Sequence, residues 1–142
     1  MNPQPRFVLI SSTGDPEARA LADELGLELR ERAPLPARHL HFCCPADEIP
    51  ARLGWARWLG PRLVWTPRSP PAAPGSWWSL VRRLAVASQE EARAWARLVP
   101  LGRIVVAPDA ASLAAVYAEV GSVGARGLRA TSGRSRGAPG AP

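Results

Sequence analysis

The stretch RFVLISSTGDPEARALADELG, residues 6–26, decides how the rest of the chain is read. Phe7-Val8-Leu9-Ile10 is a continuous apolar run of strand length, as expected of a parallel strand covered on both faces. Asp15 stands where an N-cap belongs, with Pro16 at the first helical position and Glu17 in the first turn. Ala18, Leu21, Ala22 and Leu25 recur at i, i+3, i+4 and i+7, giving a helix with one apolar face to lay on a sheet. Gly26 supplies the left-handed residue that ends such a helix. Strand, Ser/Thr/Gly turn and amphipathic helix together make the opening unit of an α/β fold.

The same alternation continues downstream. Residues 27–32 (LELRER) alternate apolar and charged, which predicts a short, half-exposed strand near a sheet edge. Further apolar strand runs are His39-Leu40-His41-Phe42-Cys43-Cys44, Leu63-Val64-Trp65-Thr66, Leu84-Ala85-Val86-Ala87 and Ile104-Val105-Val106-Ala107. Between them, residues 47–59 read as one helix with acids and Pro50 in its first turn, closed by Gly60-Pro61. Trp77-Trp78 open a short helix through Arg83. Ser88-Gln89-Glu90-Glu91 is a capping box for a helix burying Ala92, Trp95, Ala96 and Val99. A final helix after Pro108-Asp109 places Leu113, Val116, Tyr117 and Val120 on one face.

Strong strands spaced roughly every twenty residues, with helices between most of them, imply a three-layered, mostly parallel sheet of about five strands. The expected fold class is therefore α/β, Rossmann-like or flavodoxin-like, over residues 1–120. From 121 to 142 Gly, Ser, Arg, Ala and Pro dominate and no apolar period survives, so a disordered tail is expected there.

Composition bounds the function. At 142 residues the chain is one domain with room for a core. No run of about 18 apolar residues and no signal peptide is present, which points to a cytoplasmic, non-exported protein. Cys43 and Cys44 are adjacent and would face opposite sides of a strand, so a structural disulfide is not expected. The net charge of +6 is concentrated at the end: residues 121–142 hold four arginines and no acid, leaving +6 − 4 = +2 for residues 1–120. All basic residues are arginine, a bias that a GC-rich genome explains as well as phosphate binding does.

In parallel sheets ligands bind outside the carboxyl ends of the strands. The candidate ligand residues placed there are Ser11, Ser12, Thr13, Gly14, Arg68, Ser88 and Asp109. Residues 11–14 could cradle a phosphate with backbone N–H groups and hydroxyls. They read equally as turn and cap residues, and Asp15 and Glu17 favour that, since they already complement the helix dipole. The proline-rich loop after Thr66 carries Arg68 as its charged group. His39, His41 and Cys43 share one strand face, with Asp47 or Glu48 nearby, a pattern able to present imidazoles to zinc. The competing reading is a strand with packed thiols and two partly exposed histidines, and no metal is expected. Trp55, Trp58, Arg52 and Arg57 interleave as in nucleic-acid binders. The indoles are expected to be core, with the guanidiniums as solvated caps over them. No nucleophile with its base, no G-x-G-x-x-G and no P-loop is present, so no catalytic residue is assigned.

Two family resemblances follow from these residues. The turn at Ser11-Ser12-Thr13-Gly14 loosely resembles the flavodoxin phosphate loop, which would imply a flavin mononucleotide or nucleotide ligand. Residues 84–110, LAVASQEEARAWARLVPLGRIVVAPDA, resemble the end of the N-terminal half of GT-B glycosyltransferases: a strand ending in Ser, a helix, a turn, an apolar strand and Pro-Asn-Gly. Ser88 and Pro108 match, and Asp109-Ala110 replaces Asn-Gly. That resemblance implies a two-domain enzyme whose C-terminal half holds the nucleotide sugar. Only a tail follows Val120, so the expectation is an acceptor-side domain, inactive alone, with a partner chain supplying the second domain. The other expectations are a flavodoxin-like binder of a phosphorylated or hydroxyl-rich small molecule, an interaction domain, and a nucleic-acid adaptor acting through the arginine tail.

Overall fold

The computed structural model describes residues 6–133, apart from Thr13, Pro36, Ala37 and Pro74, with side chains described as far as Gly121. Six strands, β1 (Val8–Ile10), β2 (Glu28–Arg30), β3 (His39–Cys44), β4 (Arg62–Pro67), β5 (Val81–Val86) and β6 (Ile104–Val106), form one sheet. Their order is β2-β1-β3-β4-β5-β6 and every neighbouring pair is parallel. The sheet therefore runs outward in both directions from β1 and β3. This is a doubly wound form of the three-layered, mostly parallel sheet that the apolar runs implied, with six strands where about five were expected.

Helices cover both faces, as crossovers of one hand require when the winding direction reverses. α1 (Pro16–Leu25) and α4 (Ala110–Gly133) lie on one face, touching each other. There Phe7, Val64, Ala85, Leu113, Val116, Tyr117 and Val120 share a buried cluster, and Leu9, Cys43, Ala18 and Ala22 form a smaller one beneath α1. α2 (Ile49–Leu53) and α3 (Gln89–Trp95) cover the other face over Ile10, Leu40, Phe42, Leu63, Trp65, Leu84 and Val86. Cys43 and Cys44 point to opposite faces, both buried and free.

Local signals account for most element ends. Asp15 caps α1, accepting from the Glu17 and Ala18 amides, and Gly26 closes it at φ 68°. Ser88 Oγ accepts from the Glu91 amide at 3.2 Å while Glu91 Oε1 accepts from the Ala87 amide at 3.1 Å. Residues 27–32 do supply the edge strand, β2.

Three expectations need correction. Residues 47–59 are not one helix. α2 stops at Gly54, whose φ of 54° and ψ of −136° are open to glycine and break the helical path, and a 3-10 segment, Gly54–Leu59, follows. The indoles on that segment are not core: Trp55 is 77% and Trp58 72% exposed, while Ala56 between them is buried. Residues 77–83 are not a helix either. A 3-10 turn, Ser76–Leu80, leads directly into β5, and Arg82 is accommodated where the register with β4 slips by one residue. The disordered tail expected at 121–142 falls on residues whose side chains from 122 onward, and whose placement from 134 onward, lie outside the described residues. Among the described residues no helix is long and apolar enough to cross a membrane.

Candidate functional site

Among the described residues, two crevices at the carboxyl ends of the strands are lined by Arg68. The first, of about 580 Å³, lies between α1 and α4 over the ends of β4, β5 and β6. Its floor is Thr66, Ala85, Val86 and Ala107, and Leu21 and Leu113 form its apolar walls. Four carboxylates (Glu17, Glu24, Glu91 and Asp109) and one guanidinium, Arg68, line it. The second, of about 510 Å³, sits where the winding reverses between β1 and β3, and Ser11, Ser12, Asp15, Glu48, Arg52 and Arg68 line it. Arg68 and Cys43 belong to both.

The turn after β1 is built to close on itself. Ser11, 2% exposed, donates from Oγ to the Cys43 carbonyl at 2.8 Å and lies 3.3 Å from Asp15 Oδ2. The Gly14 amide donates to Ser12 Oγ at 3.3 Å. Asp15 Oδ1 occupies the Glu17 and Ala18 amides at 3.0 and 3.4 Å. Two of the N–H groups that an incoming phosphate would use are thus already held by a carboxylate, and the Gly14 amide by a hydroxyl. Thr13 lies outside the described residues. Asp15→Ala is expected to cost about 1 kcal/mol through the lost cap. It should also gain weak phosphate binding at the freed amides, read together as a lower thermal midpoint partly restored by millimolar phosphate.

Arg68 leaves the end of β4 and reaches α1, with Nη1 2.5 Å from Glu17 Oε1 and Nη2 3.5 Å from Asp15 Oδ2. Arg52, at the other side of the second crevice, pairs with Glu48 at 2.9 Å and donates to the Glu31 carbonyl at 2.9 Å. Both guanidiniums are committed to carboxylates of this chain. Asp109 caps α4 and exchanges hydrogen bonds with Ser112. The Ser112 hydroxyl and amide hold its carboxyl below the usual range. Asp109 and Arg68 line the first crevice, whereas Ser88, engaged in its cap, and Gly14 line neither.

The chain matches no protein-family model, no curated protein and no solved structure. Its site therefore has to be judged on its own chemistry.

The imidazoles of β3 serve packing. His41 is fully buried, its Nδ1 hydrogen-bonded to the Tyr117 hydroxyl and its Nε2 to Thr66 Oγ1 at 2.7 Å. Burial, reinforced by the Arg68 charge, lowers its pKa to about 3, so it is neutral at pH 7. Both ring nitrogens are used, and among the described residues no group of three or more His, Cys, Asp or Glu is placed to hold a metal. Burial pushes the thiols up, Cys43 to about 11 and Cys44 to about 12, so neither is a thiolate nucleophile at neutral pH. The strand-end reading of the sequence missed Glu17, Glu24 and Glu91. Their signal was present: residues 17, 21 and 24 follow helical spacing along the flank of α1 that meets α4.

Proposed function

We propose that this chain is a glycosyltransferase-like, acceptor-side domain that holds a hydroxyl-rich small molecule between α1 and α4 and does not transfer sugar alone. The observation that carries the reading is the lining of the 580 Å³ crevice, in which four carboxylates stand against one guanidinium that is already paired. A volume in the range of roughly 300–1,000 Å³ suits a small organic ligand. Carboxylates accept hydrogen bonds from sugar hydroxyls and repel phosphate, so a neutral polyol fits best. Residues 84–110, which carry the GT-B resemblance, supply one side of the crevice through Ala85, Ala87, Glu91 and Pro108-Asp109. Two buried, free cysteines suit a cytoplasmic setting.

The test is titration of the chain with neutral disaccharides, inorganic phosphate and flavin mononucleotide, followed by calorimetry and thermal shift. Saturable binding of a neutral sugar is expected. Ala20→Trp, an exposed position on the α1 wall, should weaken it on the order of tenfold by filling the crevice. Sugar binding indifferent to Ala20→Trp, or no sugar binding, would overturn the reading, as would unaided transfer from a nucleotide sugar. Flavin mononucleotide binding would favour the flavodoxin-like alternative. Against that alternative stand the occupied amides after Ser12 and a crevice lined, among the described residues, by no aromatic ring.

A further inference from the structure

The opposite rim, at the amino ends of β4, β5 and β6, has a different chemistry. Residues 54–66, which run along it into β4, carry Arg57 and Arg62 and no acid. The 3-10 segment that leads into β4 turns Trp55, Trp58 and Leu59 into solvent, the last 59% exposed. Two glycines at positive φ, Gly54 at 54° and Gly60 at 66°, bring the chain in and out of this turn. Buried Ala56 fastens it to the core. In a 3-10 turn residues i and i+3 eclipse about 6 Å apart along the axis, so the two indoles project from one side.

Three arginines stand at this rim: Arg57 beside Trp58, Arg62 at the start of β4 and Arg103 just before β6. The Arg57 guanidinium lies 5.2 Å from the centroid of the Trp58 ring and donates to Ser76 Oγ at 3.3 Å. Arg103 lies 5.9 Å from the Trp78 ring centroid. Arg62 opens β4, its amide donating to the Arg38 carbonyl at 2.7 Å, and with Arg38 it adds to the burial that lowers the His39 pKa. Among the described residues none of Arg57, Arg62 and Arg103 has a carboxylate partner.

We infer that this rim binds single-stranded nucleic acid, with successive bases stacking on Trp55 and Trp58 and the phosphates meeting Arg57 and Arg62. The backbone rise of about 6 Å between positions 55 and 58 exceeds the roughly 3.4 Å step of stacked bases in a duplex strand, which suits unstacked bases taken one at a time. Each ring offers a sequence-tolerant platform, and the unpaired guanidiniums supply the charge a phosphate backbone needs. An anionic lipid surface shares the charge. It is the poorer match, because a guanidinium held by Ser76 covers one face of Trp58 where an inserting ring would need an apolar surround.

The experiment uses the full chain and a fluorescein-labelled oligo(dT) of about twelve nucleotides, a length within known site sizes, read by anisotropy over a salt series. Trp55→Ala and Trp58→Ala are each expected to weaken binding about tenfold, and Trp58→Phe to retain most of it. Arg57→Ala should flatten the salt dependence by about one phosphate contact. Both indoles are exposed, so an unchanged thermal midpoint separates lost stacking from lost folding. Four results would overturn the assignment: no oligonucleotide binding; binding that the double Trp variant leaves intact; binding lost only when residues 121–142 are removed; or anionic phosphatidylglycerol vesicles captured while the oligonucleotide is not. Ala20→Trp, on the far rim, should leave oligonucleotide binding unchanged.

Discussion

Trp65→Ala is expected to destabilise the protein by about 4 kcal/mol, among the larger costs a single core truncation produces, and to lower the thermal midpoint by roughly 12 °C. Trp65 is fully buried at the centre of the α2–α3 face. Its ring meets Trp77 edge-on at 5.0 Å and Trp95 at 5.2 Å, so its removal deprives two further indoles of their contact. The indole Nε1 also donates to the Cys44 carbonyl at 2.9 Å, at the end of the β3–β4 ladder. Trp65→Phe keeps a ring but strands that carbonyl, and should cost about half as much. Urea unfolding followed by far-ultraviolet circular dichroism measures both without depending on the tryptophan signal. A loss below about 1.5 kcal/mol for the alanine variant would mean that the three-indole cluster repacks around the gap.

The second large effect is loss of stability in mild acid, centred on His41. The folded protein takes up a proton on this imidazole only near pH 3, whereas the unfolded chain does so near its ordinary value of 6.5. Between those values the unfolded state holds more protons, so stability falls as pH drops, by up to about 1.4 kcal/mol per pH unit. The total by pH 3 is about 5 kcal/mol. The groups around the ring do not offset this. Arg68 adds positive charge, Cys43 stays a thiol, and burial raises Tyr117 so that it stays a phenol. His41→Gln should flatten the dependence between pH 6.5 and 5, where carboxylates scarcely titrate. His39, also held below its ordinary value by burial and by Arg62 and Arg38, should leave a shallower slope. Equal slopes in the two proteins, from urea unfolding at each pH, would place the acid sensitivity elsewhere.

The edge strand β2 was legible by its alternation, and the other strands because they are mostly apolar runs stopped by Pro, Gly or a capping residue. Burial on both faces leaves such runs little other use. α1 and α3 were legible through their caps, Asp15 and Ser88, which act locally. Residues 47–59 read as one helix because Ile49, Leu53 and Ala56 fit an apolar helical stripe, and that stripe is in fact buried. What the pattern could not weigh was Gly54, whose positive φ rotates Trp55 and Trp58 away from the core. Glycines on both sides of WARWL were the available signal. Residues 81–86 were split between helix and strand because Arg82-Arg83 breaks the alternation. The register slip opposite Val64 and the Arg83–Glu119 pair, at 2.5 Å, absorb the two charges.

The candidate site was legible as a rim but not as a cavity. Strand ends name Arg68, which follows β4 directly, and Asp109, three residues past the end of β6. The first crevice depends on α4 returning to lie beside α1, a contact across roughly ninety residues of chain that no local pattern encodes. The carboxylates on α1 therefore read as solvated until that neighbour was in place. Residues 11–14 illustrate the reverse. Their composition invites an anion, yet Asp15 takes the amides first.

The place of β1 in the strand order has a consequence for how the chain can be cut or permuted. Though it comes first, β1 is flanked on both sides, by β2 and by β3. Trimming a peripheral strand would merely narrow the sheet. Losing the first fifteen or so residues would instead leave β2 and α1 with no ladder to join and split the molecule at its seam. An initiation site shifted past Ile10, or a bulky fusion that hinders threading of that segment, would thus act on the whole assembly and not on a frayed margin.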